Sequence, residues 1–156
     1  MSVFFIDFEA FWTNENEFII KELCIMNVNN MFYPLHYVFK PTLHWSELTK
    51  KAATTNKYLS KYFHKLNWYE GTSIFCSTCI KNNIYQNFTI ENAVFYVRDQ
   101  KVKLMKELFR EFRIIGYSAE KLNTIPRNIT CPFRCHGKHC AFKKCLLLCQ
   151  HYLSCQ

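Results

Sequence analysis

The chain has 156 residues, the length of one ordinary domain, and a domain of this size buries roughly 70% of the surface its unfolded form exposes, so a full core needs no staples. With 15 Phe and 9 Tyr against 3 Gly and 4 Pro, it is rich in large core fillers and poor in structural breaks, which excludes a disordered chain. The formal charge of +8 is compatible with nucleic acid or an anionic membrane surface as partner, without choosing between them.

In chain order, "VFFIDFEAF" (3–11), "FIIKELCIMNV" (18–28) and "FYPLHYVFK" (32–40) are apolar runs of strand character separated by polar turns, and they predict an antiparallel meander. After Pro41 the period changes. The stretch 44–69 predicts two short helices with Tyr58, Leu59, Tyr62, Phe63 and Leu66 on an apolar face and Lys57, Lys61 and Lys65 along another. A third helix is expected over 71–88. "AVFYVRD" (93–99) reads as a central strand, and "QKVKLMKELFREFR" (100–113) as a helix carrying a basic stripe of Lys103, Lys106, Arg110 and Arg113. A strand and turn from "RIIGYSAEKL", a loop from "NTIPRNIT" and a final helix from "CAFKKCLLLCQHYL" complete the order. Three antiparallel strands, helices, strand, helix, strand, helix is the element order of the ribonuclease H-like architecture: α/β, with a mixed five-stranded sheet and helices on both faces. The whole chain, 1–156, reads as one such domain.

Nine cysteines would fit a secreted scaffold. The opening residues, however, carry Asp7 and Glu9 and lack the pattern of a secretory leader, and an odd count leaves one thiol over, so the expected compartment is reducing, cytosol or nucleus. No run approaches 18 apolar residues, so no membrane span is expected. The sequons at Asn87 and Asn128 then read as chance matches.

Two constellations carry chemistry. Asp7 and Glu9 are two apart on a predicted strand, so both carboxylates project from the same face, the arrangement a nuclease uses to hold Mg²⁺ or Mn²⁺, and Asp99 at the end of the fourth predicted strand is a third candidate acid. The alternative is a solvated edge face. "CPFRCHGKHCAFKKC" (131–145) offers Cys131, Cys135, His136, His139 and Cys140 as soft Zn²⁺ ligands, four being needed, against the alternative of free thiols. Cys145 and Cys149 read as small apolar fillers on the buried side of the final helix. "CSTC" (76–79) is an isolated C-x-x-C whose sulfurs share a helix face, to bind zinc with the later cluster or simply to pack.

The segments "FFIDFEAF", "FIIKELCI", "YVFKP", "AVFYVRD" and "CPFRCHGKHCAFKKC" together resemble the Maelstrom-type domain, a divergent branch of the DEDDh exonuclease group in the ribonuclease H-like superfamily. They look closer still to small uncharacterised relatives of that domain in insect mobile elements and viruses. The resemblance implies a structural zinc held by Glu22, Cys131, a histidine and Cys140, clamping the last helix to the sheet. Where the family pattern has its histidine this chain has Arg134, so His136, or alternatively Cys135 or His139, would substitute. It also matches Asp7 and Glu9 to the first Asp-x-Glu motif and Asp99 loosely to the second Asp, with no counterpart for the closing His and Asp.

The expected function is therefore binding of nucleic acid, single-stranded RNA in preference, on a nuclease-derived fold with structural zinc. Phosphates would lie on Lys103, Lys106, Arg110 and Lys138, and bases would stack on exposed aromatics. The alternatives are an active nuclease using Asp7, Glu9 and Asp99, and a viral or mobile-element factor that binds a host protein.

Overall fold

The computed structural model describes residues 1–15, 17–118 and 139–156. Three strands open the chain: β1 (Val3–Trp12), β2 (Phe18–Asn27) and β3 (Asn30–Lys40). They pair antiparallel in sequence, with Asp7 opposite Cys24 and Glu9 opposite Glu22 in the first pair, and Cys24 opposite His36 in the second. The near-continuous apolar run of β1 follows from its central place, where both faces are covered.

A short 3₁₀ turn (Trp45–Glu47) leads to α1 (Lys50–Tyr58), capped by the Thr49 side chain, and α1 runs on into a π-helical turn over Leu59–Phe63. The face α1 buries differs from the expected one. Of the expected face Leu66 is buried and Leu59 half-buried, but Tyr58 and Tyr62 are exposed, and within α1 the buried residues are Ala52 and Asn56. The reason is polar: the Asn56 amide pairs with the end of β1, accepting from Trp12 N at 2.8 Å and donating to Trp12 O at 2.9 Å, so that it satisfies both groups as a neighbouring strand would.

The chain then returns to β3 and forms β4 (Ser73–Ile74), parallel to Phe39 and Lys40. This two-residue strand makes the sheet six-stranded where five were expected. Gly71 permits the return: its φ of +141° is open to glycine, and a Cβ there would run into the Phe39 backbone. Lys21, the extra residue at an irregularity in the β1–β2 register, secures the same corner by donating to the carbonyls of Phe39, Trp68 and Glu70.

Helix α2 (Ser77–Asn87) follows, shorter than expected because β4 takes the start of the segment. The corrected pair here is Cys76 and Cys79: one caps α2 and the other lies three residues on, in its first turn, and the two sulfurs form a disulfide. β5 (Val94–Arg98) pairs parallel with β1, and a 3₁₀ turn (Asp99–Lys101) leads into α3 (Val102–Leu108). Expected through residue 113, the helix ends early because the chain turns to bury Phe109 and to stack Phe112 on Phe95, before β6 (Ile114–Tyr117) pairs parallel with β5. Arg110 and Arg113 thus leave the helical stripe. α4 (Ala141–Ser154) closes the chain.

The sheet order is β4-β3-β2-β1-β5-β6, mixed, in an α/β chain. Alternation sorts the core into two layers. Phe4, Ile6, Phe8, Leu23 and Ile25 pack with Ile80 and Ile84 of α2, Met105 of α3 and Phe109. On the other face Phe5, Cys24 and Met26 pack with Cys140, Cys145, Leu148 and Cys149 of the α4 segment. Cys145 and Cys149 are fully buried, as the apolar-filler reading expected. Among the described residues no helix is long and apolar enough to cross a membrane.

Candidate acid–lysine site and the α4 anchor

Because β1 and β2 pair residue for residue, the i, i+2 alternation puts Asp7, Glu9, Cys24 and Glu22 on one face of the sheet, the face α4 covers. Asp7 and Glu22 are fully buried and Glu9 is 4% exposed. Buried carboxylates need partners. The turn between β5 and α3 supplies one, since Lys101 Nζ lies 2.8 Å from Asp7 Oδ1, 3.8 Å from Glu9 Oε1, and also donates to Phe8 O. α4 supplies the other: Lys144 Nζ lies 2.8 Å from Glu9 Oε1.

Two acids thus meet two ammonium groups at the carboxyl end of β1. Burial raises the Glu9 carboxyl above the usual range, and although Lys101 and Lys144 pull it back, the net direction is upward. For Lys101 burial works against the charge, but Asp7 and Glu9 outweigh it and hold the ammonium above its ordinary value. The second Asp7 oxygen, Oδ2, is buried with no hydrogen-bond partner among the described residues.

Asp99 does not join this pair in the way the nuclease expectation requires. It is exposed, and its Oδ1 lies over Gly116 of β6, filling the space a Cβ would take. Among the described residues no three His, Cys, Asp or Glu side chains are grouped so as to hold a metal ion. At Asp7 and Glu9 the carboxylates are engaged by lysines, which is a poor fit for Mg²⁺ or Mn²⁺.

The zinc expectation divides differently. Glu22 of β2 and Cys140, the residue before α4, do come together: Cys140 Sγ lies 4.0 Å from Glu22 Oε2, and Glu22 Oε1 accepts from Ala141 N at 2.7 Å. A carboxylate therefore sits on the N-terminus of α4, where unpaired N–H groups and the helix dipole favour negative charge. His36 meets the same carboxylate, with Nε2 at 2.8 Å from Glu22 Oε2. Sequence reasoning missed His36, although strand alternation contains the signal: His36 lies opposite Cys24, and so on the same face as Glu22. Carboxylate, imidazole and thiol are zinc donor types, but these three are not grouped so as to hold a metal ion by themselves. Cys131, Cys135, His136 and Lys138 lie outside the described residues. His139 stacks its ring on Phe63 at 3.7 Å between centroids.

Of the expected phosphate contacts, Lys103 and Lys106 are exposed on α3, and Arg110 is exposed just past its end. A groove beside the end of β1 is lined by Trp45, Trp68, Lys57 and Lys61, and Tyr62 and Phe63 are exposed nearby on the π turn. The chain matches no known protein-family model and no curated protein.

Proposed function

We propose that this chain binds single-stranded nucleic acid, RNA in preference, in the cytosol or nucleus, on a nuclease-derived ribonuclease H-like framework that it no longer uses for cleavage. The observation that carries the reading is Lys101, whose ammonium sits against both Asp7 and Glu9 at the end of the central strand. A nuclease needs those carboxylates for divalent cations. Here the negative charge is already balanced, so the end of the sheet offers no net attraction to a cation and little repulsion to a phosphate.

Around it the cations accumulate. Lys101 opens the segment that carries the exposed Lys103, Lys106 and Arg110, while Lys144 of α4, on the other side, stays paired with Glu9. Phosphates bind this rim, with Lys138, which lies outside the described residues, as a further proposed contact, while bases stack on the aromatic rings of the groove that holds Trp45 and on Tyr62. The strand order around β1, antiparallel β3-β2-β1 followed by parallel β5 and β6, supports the ribonuclease H-like reading. In the same reading, zinc ties α4 to β2 through Glu22 and Cys140, with Cys131 and His136 as the further ligands and Cys135 or His139 as alternatives. When bound, it contributes directly to folding.

The test is a shift assay on labelled single-stranded RNA and DNA with and without Mn²⁺. Binding without cleavage is expected, lost by at least tenfold in the Lys103→Glu, Lys106→Glu double variant and kept in Asp7→Ala chains that fold. One observation favours a nuclease: the unpartnered, buried Oδ2 of Asp7 is a spare lone pair for a cation. Mn²⁺-dependent cleavage that disappears in Asp7→Ala would establish that reading in place of this one.

A further inference from the structure

The chemistry that the binding surface leaves unused lies at the start of α2. Cys76 ends the extended segment after β4 and is the N-cap of α2, an eleven-residue helix, and its sulfur accepts the Cys79 N–H at 3.2 Å. The two sulfurs are joined, with their Cα atoms 5.3 Å apart. Cys79 is exposed and Cys76 half-buried, so the bond can be reached from solvent.

Other cysteines behave differently. Cys24 of β2 and Cys145 and Cys149 of α4 are fully buried as thiols where the helix meets the sheet, and burial raises the pKa of each, so they hold their protons and do not attack. The first turn of α2 carries no acidic residue, and the only charge in the helix is Lys81. A thiolate at Cys76 thus has a backbone N–H donor, the positive end of a helix and no nearby carboxylate from its own element. A disulfide in a chain whose Cys24, Cys145, Cys149 and Cys155 are thiols, solvent-facing and closing only a four-residue segment, fits a transient bond better than a staple.

We propose that Cys76 and Cys79 are a thiol–disulfide exchange site that reacts reversibly with low-molecular-weight thiols of the glutathione class. The incoming thiolate attacks Cys79 Sγ, the exposed sulfur. A new S–S bond forms between them, the Cys76–Cys79 bond breaks, and its electron pair departs on Cys76 Sγ, where the Cys79 N–H holds it. The better-stabilised thiolate is the leaving group, as exchange kinetics favour. A second thiolate then attacks the sulfur bound to Cys79 and leaves with it as the small-molecule disulfide, while Cys79 departs as thiolate and takes a proton from water. Two thiolates are oxidised to one disulfide, and the protein pair gains two electrons, with Cys79 taking up one proton and Cys76 left as the thiolate. The oxidised small molecule drives the same steps backwards.

The full chain is equilibrated in glutathione buffers of graded ratio, quenched in acid, alkylated and mapped by peptide mass. Cys76 and Cys79 should become alkylated together in one two-electron transition, while Cys24 and Cys145 stay thiols throughout. Cys76→Ser, which keeps an N-cap side chain, should take up one glutathione on Cys79 from the oxidised form and lose it to the reduced form. In Cys79→Ser, alkylation of Cys76 should rise with pH at a midpoint below the ordinary thiol value of about 8.5. A pair that stays bonded, or stays reduced, at every ratio would overturn the proposal, and so would a Cys76 midpoint at or above that value. The wild-type titration needs no variant, so a failure of either serine chain to fold leaves the test standing.

Discussion

Lys101 is the residue on which the buried acids depend. Asp7 is fully enclosed and Lys101 is its ion-pair partner at 2.8 Å, so replacing the lysine leaves a charge in the interior. Lys101→Met is expected to cost about 3–5 kcal/mol in denaturant unfolding. Adding Asp7→Asn should recover part of the loss, because the charge left behind is removed. Lys21 makes a separate, pH-dependent prediction. Burial lowers its pKa to about 8, with Glu70 acting weakly in the other direction. Between pH 8 and its unfolded value near 10.5 the unfolded chain holds the proton that the native chain has shed, so this group's contribution to stability rises with pH across that window. Thermal melts should show the rise as a wild-type minus Lys21→Met difference. Lys21→Met should also be less stable at every pH, since three carbonyls lose a donor.

At the scale of elements, α4 is the piece whose attachment is most informative. Its apolar side packs on β1 and β2 through Cys145, Leu148 and Cys149, and its N-terminus is met by Glu22. Leu148→Ala should cost about 2–5 kcal/mol, the ordinary loss for a fully buried leucine. If zinc joins Glu22 to Cys140, the purified chain carries about one zinc per molecule, and a chelator lowers its melting temperature more in wild type than in Cys140→Ala. Strand positions were legible because β1, β2 and β3 are long apolar runs between polar turns. The burial of Cys145 and Cys149 was legible from "CLLLC". What escaped was set by distant partners. No local pattern marks Asn56 as the side chain that pairs with Trp12, and the aromatic spacing around Tyr58 pointed to the wrong face for that reason. β4 escaped because two residues carry no periodicity, and the early end of α3 because burial of Phe109 overrode a continuous helical pattern. In the site, the Asp7–Glu9 spacing was readable, but the lysines that occupy it come from 94 and 135 residues away.

For the whole molecule, the charge of +8 is unevenly used, because lysines at the end of β1 neutralise buried acids while those of α3 face water. Binding to a single strand should therefore be strongly salt-dependent. Four phosphate contacts at a slope of about 0.7 each imply about a 50-fold loss of affinity on a fourfold rise in salt. Anisotropy titrations from 50 to 200 mM salt read this directly, and an unchanged affinity would exclude phosphate contacts as the basis of binding.

The brevity of β4 has a consequence for behaviour at high concentration. It covers β3 only at Phe39 and Lys40, and further along the same strand Phe32 is 91% and Tyr33 75% exposed. Such a rim invites a second molecule to zip alongside, the first step toward aggregation. Pro34, beside those rings, has no N–H to offer a newcomer and so interrupts the ladder. Pro34→Val is therefore expected to make concentrated solutions self-associate more readily than the parent chain does, as light scattering would read.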